Sequence, residues 1–306
     1  MERMEPCLLI GTESGLWRLD GGDAVPVEAF AARAVTALAR DGARTWALVD
    51  GRTVWVGDRR GRWEARASID GLAGTCLAAT PGGLLVGTEQ AHLCRLANGT
   101  LGRVEAFETV EGRDAWYTPW GDPADVRSIA RATDGTLHVN VHVGGVARSR
   151  DGGRSWAPTV DIEADVHQVL AHPTRPDVVL AAAYEGLGVS RDGGSSWQFL
   201  TEGMHAHYAR AVAVAGDVVL VSASTGPGGR RSALYRTPLD GGGRFERCQD
   251  GLPWFADNID TGCLQAAEGL VVFGTGDGRV FLSADRGRSW KLAAKGLPAV
   301  RAVLLA

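Results

Sequence analysis

Four arginines and a histidine recur at one place in a repeated pattern. Arg33, Arg127, His167, Arg210 and Arg301 each open a short apolar run, from Arg33-Ala-Val-Thr-Ala to Arg301-Ala-Val-Leu-Leu. Guanidinium groups gathered at equivalent places would suit a carboxylate, a phosphate or a sulfate, because their forked donors match such oxygens. Carboxylates stand beside the column: Asp125 precedes Arg127, Asp165 precedes His167 and Asp260 precedes Gly262, each by two residues. A second reading therefore pairs each arginine with a neighbouring aspartate and uses the pair to hold adjacent units together. The sequence leaves both readings open.

The same neighbourhood holds the groups that acid–base chemistry would need. His167, His142, Asp125, Asp165 and Tyr208 are the candidates for catalysis. Arg127, His142, His167, Tyr184, Tyr208, Arg210 and Asp260 are the candidates for holding a ligand. His142 precedes a Gly144-Gly145 turn and His167 begins the next unit, which brings the two near each other. His138 and His142 share a strand face but lie about 13 Å apart, too far to share one ion. His205 and His207 project together only if their segment is extended. Hydrogen-bonded or solvated histidines are the expectation, with no metal and no cofactor. Trp116, Tyr117, Trp120, Trp254 and Phe255 crowd two long loops, where they suit either stacking on a sugar or peptide or the packing of the loops themselves.

These residues are positioned by a repeat. Ser149-Arg-Asp151-Gly-Gly153-Arg-Ser-Trp156, Ser190-Arg-Asp192-Gly-Gly194-Ser-Ser-Trp197 and Ser283-Ala-Asp285-Arg-Gly287-Arg-Ser-Trp290 share the pattern Ser-x-Asp-x-Gly-x-x-Trp. Trp156 and Trp197 are 41 residues apart, and Trp197 and Trp290 are 93 apart, about two units. Asp240–Phe245 fills the gap as a worn copy, and Asp58–Trp63 is another. The pattern resembles the Asp-box, or BNR, repeat of β-propellers. Its physical logic is a hairpin turn: the aspartate accepts from backbone N–H groups, glycine supplies positive φ and tryptophan covers the turn. The boxes are thus expected to be structural, with all three tryptophans largely buried.

Seven openings can be counted, the other two being Gly74-Thr-Cys-Leu-Ala and Gly262-Cys-Leu-Gln-Ala. The expected fold is all-β, a seven-bladed β-propeller forming one domain over residues 1–306. The last opening, Arg301–Leu305, has no strands after it. Cys7–Thr12, Gly15–Leu19 and Val25–Phe30 read as three strands that complete its blade, so the N- and C-terminal strands share the closing blade and leave no open sheet edge. Residues 137–143 alternate with a period of two, as a strand should. No helix is expected. In such blades the Asp-box turns lie on one face, and the longer loops 111–126, 201–209, 223–232 and 248–261 rise on the other.

Composition narrows the function classes. The chain has 306 residues, 45% of them hydrophobic, with 42 glycines, 12 prolines and a net charge of −4. That balance gives no attraction to nucleic acid or an anionic membrane. The apolar stretch Cys7–Ile10 is too short for a signal core or a span. Five cysteines without CxxC spacing fit free thiols in a cytoplasmic protein and argue against a thiolate zinc site. Asp-box propellers include sialidases, xyloglucan-degrading glycosidases, sortilin-type receptors and a propeller assisting photosystem II assembly. The sialidase resemblance implies an Arg-Ile-Pro motif, six blades and a tyrosine–glutamate pair. No Arg-Ile-Pro occurs here, seven blades are counted, and Tyr184-Glu185 point to opposite faces of a strand. The xyloglucan-degrading group implies two tandem propellers. The expectation is a protein that binds an anionic or polar small molecule, a carbohydrate or a partner protein on the loop-rich face. The alternative is a glycoside hydrolase or lyase using the same face.

Overall fold

The structure is a computed structural model that describes residues 7–305, apart from 119, 161–163 and 242. The first six residues of the N-terminal reading, Pro119 of the loop 111–126 and Gly242 of the worn copy lie outside the described residues. Seven four-stranded antiparallel sheets form a ring, a seven-bladed β-propeller. Blade 1 runs from Val35–Asp41 to Trp63–Ser68, blade 2 from Gly74–Thr80 to Thr100–Arg103 and blade 3 from Val126–Arg131 to Ala157–Pro158. Blade 4 runs from Val166–Ala171 to Gln198–Leu200, blade 5 from Tyr208–Ala215 to Glu246–Arg247 and blade 6 from Leu264–Ala267 to Lys291–Ala294.

Blade 7 closes the ring with both chain ends. Val300–Leu305 pairs antiparallel with Leu8–Thr12, matching Leu8 to Leu305 and Ile10 to Val303. Two strands follow, Gly15–Leu19 and Val25–Pro26. The third was expected to reach Phe30. It ends at Pro26, and Glu28–Phe30 forms a 3₁₀ turn. Proline lacks the N–H a ladder needs, and the turn drives Phe30 fully inward against Trp55 and Trp63, at 5.3 and 4.9 Å between ring centres. Four such 3₁₀ turns occur among the described residues, and no α-helix. The alternating strand expected over 137–143 stops at Val141, where Val143 takes a φ of 46° and the chain turns.

The core lies between blades. Leu180, Ala182 and Leu187 of blade 4 pack on Val212, Val221 and Tyr235 of blade 5, and similar clusters recur around the ring. This burial removes apolar area from water at each blade junction. Where the three Ser-x-Asp turns connect third to fourth strands, each carboxylate is satisfied in the same way. Asp151 Oδ1 accepts from the N–H groups of Arg154 and Ser155 at 2.9 and 3.0 Å, and Oδ2 from the Ser155 hydroxyl at 2.7 Å. Asp192 and Asp285 repeat the arrangement. Their tryptophans do not behave alike. Trp290 is buried, and Trp156 and Trp197 are less completely covered. The outer strand behind Trp156 is two residues long, so little chain remains to cover it.

The innermost strands share a detail that no reading of the repeat anticipated. In six blades the pairing with the second strand skips a residue at the same level, a β-bulge. The skipped residues are Thr36, Thr75, Arg127, His167, Arg301 and, in blade 5, one within the Arg210–Ala211 pair. A bulged residue leaves the ladder and its side chain is re-aimed. Arg33 is therefore not equivalent to Arg127. It lies three residues before the bulge of its own blade, where Thr36 takes the column position, and it pairs instead with Asp50 at 2.9 Å.

Candidate functional site

Three neighbouring blades converge on one end of the ring, opposite the Ser-x-Asp turns. His142 follows the second strand of blade 3, and its N–H is held by the Asp125 carbonyl at 3.0 Å. Asp165 immediately precedes the first strand of blade 4, and its carbonyl accepts the N–H of Tyr184 at 2.9 Å. The bulge at His167 turns its ring toward blade 5. There Nδ1 donates to the Ala209 carbonyl at 2.6 Å, while Nε2 lies 3.0 Å from the Tyr208 hydroxyl. A carbonyl can only accept, so the proton on Nδ1 is fixed and Nε2 presents its lone pair when the ring is neutral.

Asp165 sits between the two imidazoles. Its Oδ1 is 3.0 Å from His142 Nε2 and 3.3 Å from His167 Nε2. Burial alone would raise the Asp165 carboxyl, but its contacts with His142 and His167 outweigh that and hold it well below the usual range. Burial pushes His167 down, with Asp165 opposing. Burial and the Asp165 charge push Tyr208 up. Asp125 is also raised, first by burial and then by Glu89. Tyr184 and Trp120 stand exposed over this cluster, Tyr184 edge-on to Tyr208 at 5.9 Å and Trp120 at 5.3 Å from His142.

A second, cationic cluster adjoins it. The Arg210 guanidinium lies over the Tyr208 ring at 5.3 Å and donates to Asp260 Oδ1 at 2.8 Å and to the Pro227 carbonyl. Asp260 also accepts from Asn258 and from the Thr261 N–H. Burial raises the Asp260 carboxyl, and Arg210 and Arg127 more than reverse the shift. Arg127 stands 3.7 Å from the same Oδ1 and makes no hydrogen bond among the described residues. It lines the central channel, a cavity of about 400 Å³, with Thr75, Gln168, Thr261 and Gln265. Arg301 joins neither cluster by an ion pair and pairs instead with Glu13.

The sequence candidates thus fall into two touching groups: His142, Asp165, His167, Tyr184 and Tyr208, and Arg127, Arg210 and Asp260. Asp125 supports the first through its backbone. Thr261 was missed. Its hydroxyl donates toward the carbonyls of His167 and Arg210 at 3.2 and 3.0 Å and ties three blades together. Its only sequence signal is its place beside Gly262 in the opening column. Other histidines are occupied elsewhere. Both His205 ring nitrogens are engaged, by the Tyr235 hydroxyl and the Arg231 carbonyl. His138 is fully buried beneath Gly194 on the Ser-x-Asp side, and burial pushes it down to about 4. Arg247 stacks on Trp254 and Phe255 at 4.1 and 4.5 Å, while Trp254 stays exposed. All five cysteines are free thiols, and burial pushes Cys76 and Cys248 up to about 12, which makes them inert.

No protein-family model matches the chain, and no curated protein matches its sequence. Solved structures of similar fold do. YCF48 bound to D1 peptide aligns with a TM-score of 0.59 at 16% identity, over 90% of this chain and 85% of that one. YCF48 from Cyanidioschyzon merolae gives 0.60 at 16% identity, over 90% and 87%. An ancestral GH74 enzyme gives 0.65 at 15% identity, over 92% of this chain but 38% of its own length. At these identities the likeness is one of fold: the chain has a propeller scaffold, and scaffold does not specify chemistry. Among the described residues no helix is long and apolar enough to cross a membrane.

Proposed function

We propose that the chain is one propeller domain that binds an anionic ligand, a carboxylate or a phosphate, at the mouth of the channel opposite the Ser-x-Asp turns. Arg127 carries this reading. It lines the channel cavity, and its guanidinium has no hydrogen bond spent among the described residues. Two guanidinium groups also share the single Asp260 carboxylate, and Arg210 takes its hydrogen bond, which leaves the donors of Arg127 to spare. In a half-buried mouth the weaker screening strengthens their attraction for an anion. A peptide carboxylate offers the same chemistry as a free one, and YCF48 with its D1 peptide is a precedent in fold for a peptide ligand. The test is calorimetric titration with phosphate, succinate and a short peptide with a free carboxyl end, on wild type and Arg127→Ala. Saturable binding lost in the variant supports the reading; equal behaviour of the two proteins contradicts it.

One observation favours a second reading, a glycoside hydrolase or lyase on the same face. The Tyr208 hydroxyl is hydrogen-bonded to His167 Nε2, and the Asp165 carboxylate stands 3.3 Å from that nitrogen, so groups that can hold a proton are gathered on this face. Turnover of an aryl glycoside that disappears in Tyr208→Phe, with folding intact, would support it.

A further inference from the structure

We propose that His142, Asp165 and His167 form a binding site for one divalent first-row transition ion, with zinc as the reference ion. The inference stands apart from anion binding at Arg127. Three ligand atoms meet here, His142 Nε2, Asp165 Oδ1 and His167 Nε2, all within 4.8 Å of one another. The two nitrogen–oxygen separations are 3.0 and 3.3 Å. Metal–ligand bonds of about 2.0–2.1 Å place neighbouring ligands roughly 2.9 Å apart in an octahedron and roughly 3.4 Å in a tetrahedron. Both nitrogen–oxygen separations fall in that interval.

The hydrogen bonding points the same way. His142 is 2% exposed, yet its Nε2 has no hydrogen-bond partner, and neither has Asp165 Oδ1. The two atoms are close but not aligned for an N–H to reach the oxygen. A buried polar atom left in this state is costly, and a cation between the three atoms would satisfy all of them at once. The surrounding groups suit ligation. His167 donates its Nδ1 proton to the Ala209 carbonyl, which fixes the tautomer whose Nε2 lone pair faces the Tyr208 hydroxyl and could pass to an ion. His142 and Asp165 are anchored through their backbones to Asp125 and Tyr184. Two imidazoles and one carboxylate, with no thiolate, select a borderline ion such as zinc, iron(II) or cobalt(II) over calcium or magnesium. Three protein ligands leave at least one coordination position open beside Tyr208, toward the mouth.

The experiment uses the full chain after removal of metal with a chelator. Calorimetric titration with zinc should show one saturable site per chain, and zinc should raise the melting temperature. Asp165→Asn and His142→Gln should each weaken binding by at least about 100-fold. His205→Gln, whose ring nitrogens serve Tyr235 and Arg231, should bind as wild type does. Pulsed electron paramagnetic resonance on the copper(II)-loaded wild type should detect two coordinated imidazoles, a readout that needs no variant to fold. Absence of a one-to-one site, unchanged affinity in both ligand variants, or fewer than two coordinated imidazoles would overturn the proposal. None of these outcomes depends on whether phosphate or a carboxylate binds near Arg127.

Discussion

The two ends of the ring use the same residue types in opposite ways. At the Ser-x-Asp turns every aspartate oxygen has its donors. Asp285, for example, takes two N–H groups on Oδ1 and a serine hydroxyl on Oδ2, just as Asp151 and Asp192 do. At the other end the polar groups are only partly satisfied. Arg127 makes no hydrogen bond among the described residues, and Arg210 Nε, His142 Nε2 and Asp165 Oδ1 are buried without hydrogen-bond partners. The turn side also buries polar atoms without partners, both ring nitrogens of His138 among them, so the contrast is one of charged groups: the turn aspartates are satisfied, and Arg127 and Asp165 keep capacity to spare. The contrast is sharper than any difference in composition between the faces, since both carry arginine and aspartate.

The largest effect that would sharpen this contrast is on stability at the turn face. Trp290 is 5% exposed and packs edge-on to Phe273 at 5.0 Å. Trp290→Ala should cost about 3–5 kcal/mol in chemical denaturation, with ligand affinity unchanged once the protein is folded. Trp156→Ala, at a partly covered position, should cost less. Loss of binding without loss of stability in Trp290→Ala would break the division between the ends.

Next comes affinity at the mouth. Arg127→Ala should weaken anion binding by roughly 10- to 100-fold, the range expected for a charge-assisted hydrogen bond, and should leave the melting temperature nearly unchanged. A large fall in melting temperature would mean that Arg127 serves blade cohesion, the second of the two readings open to the sequence.

A third effect appears with pH. His138 is pushed down by burial, and by Arg148, to about 4 from an ordinary 6.5. The unfolded chain therefore takes up a proton that the folded chain refuses. Stability should fall as pH drops from about 6.5 to about 4 and stop responding to this group below that. In His138→Leu that part of the slope should vanish, as urea denaturation at several pH values would show. An unchanged slope would assign the acid response to other groups.

The smallest effect concerns ring closure. Arg301 and Glu13 form an exposed ion pair across the joined chain ends. Glu13→Ala should change stability by less than about 1 kcal/mol, because strand pairing from Leu8 to Thr12 carries the closure. A larger loss would show that the ends depend on charge.

Much of the scaffold was legible in the sequence because the repeat is covalent and local. The spacing of Trp156, Trp197 and Trp290 and the seven apolar openings gave the blade number, and the short last opening gave the shared blade. What escaped depends on contacts between blades. A bulge is set by how one strand pairs with its neighbour, so the sequence column aligned Arg33 with Arg127 although Thr36 is the equivalent residue. The meeting of His142 with His167 was anticipated from the order of turns. The shared contact with Asp165, and the sharing of Asp260 by Arg127 and Arg210, needed the curvature of the ring. Thr261 carried no chemical signal at all.

Whether the donors of Arg127 at the channel mouth mark the ligand face is tested directly by crystals soaked in selenate. Selenate is an oxyanion visible by its anomalous scattering, and both ends of the ring offer arginines to it. The account predicts an anomalous peak within hydrogen-bonding distance of Arg127, lost in Arg127→Ala, and none of comparable height beside Arg150 or Arg154 at the turns. Peaks at the turns with an empty channel mouth would contradict it.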